Sequence, residues 1–150
     1  AAISAQYAVS RRGKMDDVFG RMLELSRKGY FGAQILMQRA LDAEGKDCPE
    51  LIRAMGGLNA GIGFSGGPCG ALTGGACFLA YFSEGLDGRE RDAMLREFHD
   101  WFRERTAEYG GESCDRILAG DPSNQLRRCP ALVQEVYGKC VELLEARGLC

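Results

Sequence analysis

The feature that most constrains this chain is a helical spacing of apolar residues that recurs along its length. Between Arg89 and Tyr109, apolar side chains return every three or four positions, at Met94, Leu95, Phe98, Trp101 and Phe102. That spacing places them on one face of an amphipathic helix. Alternating runs of β-branched residues, which are typical of strands, are almost absent. The sequence therefore predicts an all-α protein.

The pattern predicts a single-domain bundle of about five to seven helices. Residues 1–15 are expected to be an N-terminal arm or a trimmed segment, and residues 16–150 to form one helical cysteine-containing redox domain. The predicted helices are one through Met22 that ends at Gly29, one from Ala33 to Gly45, one that starts at Cys48, one from Cys69 to Gly85, one from Arg89 to Tyr109, a short turn after Ser113, and a last one that starts at Cys129.

Charge and hydropathy exclude two classes of partner. The net charge is −2 and basic residues are scattered, so nothing attracts nucleic acid in general. Apolar runs stay well short of the roughly 20 residues that span a bilayer. We therefore expect no nucleic-acid partner and no membrane span.

Cysteine is the residue type that points to a function, because the chain has seven cysteines beside one histidine. An odd number in a chain of this length is not typical of a secreted disulfide scaffold. Reduced cysteines that act as ligands or redox centres fit better, with structural disulfides as the alternative. This favours a cytoplasmic protein and leaves a periplasmic location open.

Four cysteines are predicted at helix N-termini. Cys48 and Cys129 each precede a proline, which favours the first helical position, so both are predicted to be N-caps. Cys69 starts the fourth predicted helix, and Cys114 follows a serine that is a good cap. The unpaired N–H groups at such positions stabilise a thiolate and lower the pKa of the cysteine. These four are the candidate ligands or redox thiols.

The remaining candidates are weaker. Cys140 lies in the apolar stripe of the last helix and is predicted to be a buried small hydrophobe, whereas Cys77 is equally compatible with core and ligand. Cys150 is assigned no role. His99 is predicted to be a surface or boundary residue, and no C-x-x-C pair of the kind that binds zinc is present.

A glycine-rich segment separates the third and fourth predicted helices. Each glycine in a helix costs about 1 kcal/mol relative to alanine, so this density predicts close approach of backbones or of a bulky prosthetic group, with a flexible loop as the alternative. Gly61 to Gly66 also matches the dinucleotide fingerprint G-x-G-x-x-G, but the segment before it is helical in pattern, where the fingerprint needs a strand. The glycines are Gly56, Gly57, Gly61, Gly63, Gly66, Gly67, Gly70, Gly74 and Gly75.

The stretch from Gly61 to Gly75, which contains Cys69-Gly70-Ala71-Leu72-Thr73-Gly74-Gly75, resembles the signature of the C_GCAxxG_C_C family of redox-active proteins. The resemblance covers roughly Asp17 to Leu144, and it implies a small helical domain with a redox or metal role, often in anaerobic bacteria and archaea. Further similar positions are Glu24-Leu25, Gly29-Tyr30, Ala33-Gln34, Leu51-Ile52-Arg53-Ala54, and the two later cysteines Cys114 and Cys129.

The chain departs from that pattern at Gly32, where the family has its first cysteine. If four cysteines bind one cluster in the family, this chain lacks one of the ligands. Cys48 or Cys77 is a candidate replacement. Alternatively, the fourth position is open or taken by another ligand, or the site is lost and only the scaffold remains.

The leading hypothesis is that Cys69, Cys114 and Cys129 are metal ligands of an iron–sulfur cluster, with Cys48 as a further cofactor-binding residue. The cluster would transfer electrons to a redox partner protein, and no catalytic residue is assigned. A metal-free thiol–disulfide redox protein is the first alternative. The second is a non-catalytic subunit or interaction module that docks, or forms a homodimer, through its small-residue surface.

Overall fold

The computed structural model describes residues 15–149, and in this range the chain forms helices joined by turns and loops. The α-helices are α1 (Met15–Arg27), α2 (Gly32–Glu44), α3 (Pro49–Met55), α4 (Gly70–Tyr81), α5 (Gly88–Thr106), α6 (Cys114–Leu118) and α7 (Asn124–Ala146). The all-α prediction is confirmed. No helix in the described range is long and apolar enough to cross a membrane. Residues 1–14, most of the predicted N-terminal arm, and Cys150 lie outside the described residues.

Helix α4 is the centre of the bundle. Its sequence is apolar around most of its circumference, which is typical of a helix that is covered on all sides. It packs against α2, α5 and α7, and its Phe78 and Leu79 side chains are fully buried. The positions of the neighbouring helices are therefore set by their contacts with α4.

Two glycines in α4 allow these neighbours to come close. A Cβ atom added at Gly74 would lie 2.6 Å from the Cα of Ala33 in α2. At Gly75 it would lie 2.5 Å from Cζ of Phe98 in α5 and 2.6 Å from Cγ1 of Val136 in α7. For this part of the glycine-rich segment, the prediction of closely approaching backbones is confirmed.

Helix α5 lies where the apolar spacing predicts a helix. Its first turn is closed by a capping box, in which the Glu90 N–H donates to Asp87 Oδ1 (2.8 Å) and the Asp87 N–H donates to Glu90 Oε2 (3.2 Å). Met94, Phe98 and Phe102 are fully buried, as the apolar spacing predicts.

The predicted start of the last helix is wrong. Helix α7 begins at Asn124 rather than at Cys129, and Pro130 lies inside it. The first turn is held by tertiary contacts, because Asn124 Nδ2 donates to Leu118 O (2.8 Å) and Arg128 Nη1 donates to Ile117 O (2.7 Å). These bonds tie α7 to the end of α6, so Cys129 is not an N-cap and lies in the second turn.

We expect Gly74→Ala to lower the free energy of unfolding by about 1–3 kcal/mol, because its Cβ has no space against the backbone of α2. The matched control is Gly20→Ala in α1, where nothing lies within 4 Å. That change should raise the free energy of unfolding by about 1 kcal/mol, as alanine is the better helix former. Urea unfolding followed by circular dichroism measures both, and a Gly74→Ala variant as stable as wild type would contradict the packing described.

Candidate cysteine site

Three of the four predicted cysteines meet at one cavity of about 50 Å³, called here the inner cavity. Cys69 is the N-cap of α4, Cys114 is the first residue of α6, and Cys129 lies in the second turn of α7. Cys69 is almost completely buried, at 7% exposure, and the other two are half-buried. The walls between them include Phe31, Gly32, Ala60, Phe64, Leu118 and Val133.

Backbone hydrogen bonds hold Cys69 and Cys114 beside each other. The Cys69 N–H donates to Glu112 O (3.1 Å), and the Cys114 N–H donates to Gly67 O (2.8 Å). Between these two bonds, Pro68 and Ser113 form an isolated antiparallel bridge. The two cysteines are thus fixed by the main chain, whatever their sulfur atoms bind.

His99 supports this pairing from α5. Its Nε2 atom lies 2.6 Å from Glu112 Oε2, and Arg103 Nε lies 3.4 Å from the same oxygen. The His99 side chain is 38% exposed, so the prediction of a boundary residue is confirmed. This contact fixes Glu112, whose backbone carbonyl accepts the hydrogen bond from the Cys69 N–H.

A left-handed turn, Ala60–Phe64, forms one wall of the inner cavity. Its five residues have consecutive φ angles of 53°, 65°, 61°, 67° and 63°. Only glycine adopts this conformation freely, and each of the three other residues costs about 1–2 kcal/mol. The segment before the turn is helix α3 followed by a 3₁₀ turn, so the strand that a dinucleotide loop requires is missing at this point.

The backbone of the left-handed turn packs against the cysteine site, and its apolar side chains are exposed to solvent. A Cβ atom at Gly61 would lie 2.5 Å from Cβ of Cys114, so no other residue fits there. The Phe64 ring is 64% exposed and contacts the Phe31 ring edge-to-face, with 5.9 Å between the centroids. This wall was not predicted from the sequence. The signal for it is the pair of glycines two positions apart, Gly61 and Gly63, because glycine favours positive φ angles.

The thiols of the inner cavity have raised pKa values, contrary to the prediction that helix N-termini would lower them. Burial raises the pKa of Cys69, even though the N–H groups of Ala71 and Leu72 pull it down. Burial, followed by repulsion from Cys69 and Cys114, raises the pKa of Cys129 to about 12. Loss of hydration outweighs the helix N-terminus, because a thiolate in an apolar cavity has few solvating partners.

Among the described residues that line the inner cavity there is neither Lys, Arg nor His, so none of them brings a positive charge to the thiols. Within residues 15–149, no three His, Cys, Asp or Glu side chains surround a point closely enough to hold a single metal ion. The three cysteines instead line a common cavity.

The other cysteines lie elsewhere. Cys48 is the N-cap of α3, as predicted, but does not line the inner cavity, so its role as a ligand stays a prediction. Cys77 is half-buried in α4. Cys140 is fully buried, with its sulfur 3.6 Å from Gly75 O, which confirms the prediction of a core residue.

Gly32, where the related pattern has a cysteine, lines the same cavity as the three thiols. A Cβ atom there would lie 3.1 Å from Cγ2 of Val133 and 3.4 Å from the backbone N of Ala71. Val133 and Ala71 both line the cavity, so a side chain at position 32 would lie among its walls.

Comparison with known proteins identifies a family. The model of the family described as "Putative redox-active protein (C_GCAxxG_C_C)" matches residues 30–143. This range contains Gly32, the left-handed turn and the three cysteines of the inner cavity. No curated protein and no solved structure shows a significant match to the chain.

We expect Ile62→Gly to be more stable than Ile62→Ala by about 1 kcal/mol, because glycine adopts the left-handed conformation without strain and alanine does not. The two variants remove nearly the same exposed side chain, so each is the control for the other. Thermal unfolding measures the difference. In a right-handed helix the order would be reversed, and that result would contradict the left-handed turn.

A second expectation concerns Cys129 in the reduced, metal-free protein. Its pKa of about 12, against 9.0 for an ordinary cysteine, lowers the thiolate fraction at pH 8 about a thousandfold. Alkylation of Cys129 by iodoacetamide should be slower by at least that factor than in urea-unfolded protein, and should accelerate as pH rises. Mass spectrometry of the modified peptides gives both rates, and folded and unfolded rates within tenfold of each other would contradict the pKa.

Proposed function

The chain belongs to the C_GCAxxG_C_C family of redox-active proteins, and we propose that Cys69, Cys114 and Cys129 bind an iron–sulfur cluster that transfers electrons to a partner protein. The observation that carries the proposal is that three thiols from three separate helices line one apolar cavity. Thiolates are the usual protein ligands of such clusters. An iron–sulfur cluster, when bound, supplies one-electron transfer.

The surroundings of the thiols fit this group. The N–H groups of Ala71 and Leu72, in the first turn of α4, lower the pKa of the Cys69 thiol and so favour its thiolate form. Hydrogen bonds to sulfur and the exclusion of water are the means by which a protein tunes the potential of a cluster. Phe31, Phe64 and Val133 are among the apolar residues that line the cavity.

The charges favour a metal centre over a metal-free dithiol. A thiol–disulfide enzyme needs a thiolate near neutral pH, which a nearby cation or a helix N-terminus normally stabilises. Here burial raises the pKa of Cys129 to about 12, and none of the cavity-lining residues within 15–149 is basic. Iron would supply the missing positive charge and displace the thiol protons.

The volume of the inner cavity limits what it can hold without movement of its walls. At about 50 Å³ it has room for a few water-sized groups, at about 10–15 Å³ each. A cluster therefore requires the walls to separate. The left-handed turn is the wall best suited to move, because Ile62 and Phe64 are more than half exposed and its backbone is strained.

A reducing compartment suits the proposal. All six cysteines in the described range are free thiols. Free thiols persist in the cytoplasm, where glutathione and thioredoxin keep them reduced. We therefore place the protein in the cytoplasm as part of the same proposal, with a redox partner protein as its electron donor or acceptor.

Anaerobic reconstitution with iron and sulfide tests the cluster. We expect wild-type protein to retain iron and acid-labile sulfide with broad visible absorbance. Cys69→Ser, Cys114→Ser and Cys129→Ser should each retain less than about a tenth of the iron, since losing a ligand removes several kcal/mol of binding. Metal analysis after gel filtration gives the iron content, and circular dichroism shows that each variant is folded.

Cys48→Ser and Cys77→Ser are the matched controls, because they remove thiols that lie away from the inner cavity. Both should keep the iron content of wild type. If wild-type protein holds no more iron and sulfide than the triple serine variant, the cluster is excluded. A disulfide among Cys69, Cys114 and Cys129 in that metal-free protein after air oxidation would then favour the thiol–disulfide alternative.

A further inference from the structure

We propose that two copies of this chain associate through an apolar face beside the cysteine site. The face, called here the apolar face, is formed by Phe19 and Leu23 of α1, Leu126 and Pro130 of α7, and Phe64 of the left-handed turn. The inference is independent of the proposed cluster, because it starts from side chains that lie in solvent and uses no chemistry of the thiols.

The exposed apolar side chains are concentrated on this face. Among the side chains that the structure describes, five large apolar ones are exposed, and four of them belong to the face. The exposed fractions are 83% for Leu126, 64% for Phe64, 41% for Phe19 and 37% for Leu23. The fifth, Ile62, lies in the left-handed turn as well. Apolar surface that is gathered in this way is typical of an interaction site.

A series of adjoining cavities shows that these side chains are neighbours. Leu126 and Pro130 line a cavity of about 160 Å³, called here the outer cavity. Pro130 also lines a smaller cavity together with Phe19 and Leu23. On its other side the outer cavity shares walls with the inner cavity, which Phe64 lines. The apolar face is therefore continuous from α1 across α7 to the left-handed turn.

The area of the face is sufficient for a dimer. With about 200 Å² of surface for each large side chain, the four exposed fractions amount to roughly 450 Å² on one copy. Two copies that bury this surface, together with the exposed Pro130 and the polar residues around the face, remove about 1,000 Å² from solvent. That is the size at which specific interfaces begin.

The shape of the face favours a second copy as the partner. An interface around a two-fold axis uses the same patch on both copies, so the patch must carry both a protrusion and a recess. Leu126 is the protrusion, because it is the most exposed of these side chains, and the outer cavity beside it is the recess. Each Leu126 can then insert into the recess of the other copy.

The charges around the face are complementary under the same symmetry. Asp115 and Asp121 are exposed and line a further cavity, which adjoins the outer cavity at Gln125. A two-fold axis close to Leu126 places these carboxylates opposite basic residues of the other copy, and opposite charges orient the two partners. Three basic residues are exposed next to residues that line the outer cavity, namely Arg27, Lys28 and Arg127.

Sedimentation equilibrium of the full chain in reducing buffer measures the association. We expect wild type to dimerise and Leu126→Glu to raise the Kd about tenfold or more, because a charge replaces an apolar side chain that the dimer buries. This variant should fold, since an acidic residue is favourable in the first turn of a helix, and circular dichroism checks it. Leu23→Gln should also weaken the dimer and keeps the test decisive if Leu126→Glu does not fold.

Ala93→Glu is the matched control, because it adds the same charge at an exposed position of α5 outside the apolar face. It should dimerise with the Kd of wild type.

Mixing two charge variants tests the two-fold arrangement. Lys28→Glu and Asp115→Lys each bring like charges together in their own dimer, so each alone should associate about threefold more weakly. In an equimolar mixture both contacts join opposite charges, and the mixed dimer should form with a Kd near that of wild type. Recovery of this kind requires that the partner be a second copy.

Three results would overturn the inference. The first is a wild-type chain that stays monomeric up to millimolar concentration, which leaves the face to a different protein. The second is a dimer whose Kd is unchanged in both Leu126→Glu and Leu23→Gln. The third is a mixture of the charge variants that associates no better than either alone. None of them bears on iron content, so the proposed function is tested separately.

Discussion

The close approach of three helices to α4 is the constraint on which the rest of the structure depends. Gly74 admits the backbone of α2, and Gly75 admits Phe98 of α5 and Val136 of α7. The same contacts bring the N-terminal ends of α2 and α4 together, with α7 running past them. Gly32, Cys69 and Cys129 meet there because of this packing, since Val133, one turn before Val136, reaches the wall of the inner cavity.

The cysteine site combines a rigid side with a strained side. Backbone bonds at Cys69 and Cys114, supported by the contact between His99 and Glu112, fix two of the three thiols. The left-handed turn, which packs against Cys114, has backbone strain at Ala60, Ile62 and Phe64.

The thiols of the inner cavity are held in their protonated form by their surroundings. Burial raises the pKa values of Cys69, Cys114 and Cys129, and a charge on one thiol hinders the ionisation of its neighbours. In the part of the chain that the structure describes, no basic side chain lines the cavity to offset this. A thiolate in this pocket is therefore disfavoured relative to one in water.

The sequence by itself determined what depends on local spacing. The apolar period located α5, and the stripe of the last helix identified Cys140 as core, because these signals act within a few residues. Only the tertiary structure decided that α7 starts at Asn124, since bonds to α6 extend the helix beyond the point where Pro130 suggested a start. It also decided that the thiol pKa values rise, because hydration at Cys129 depends on walls contributed by segments distant in sequence, and a helix terminus acts only over its own first turn.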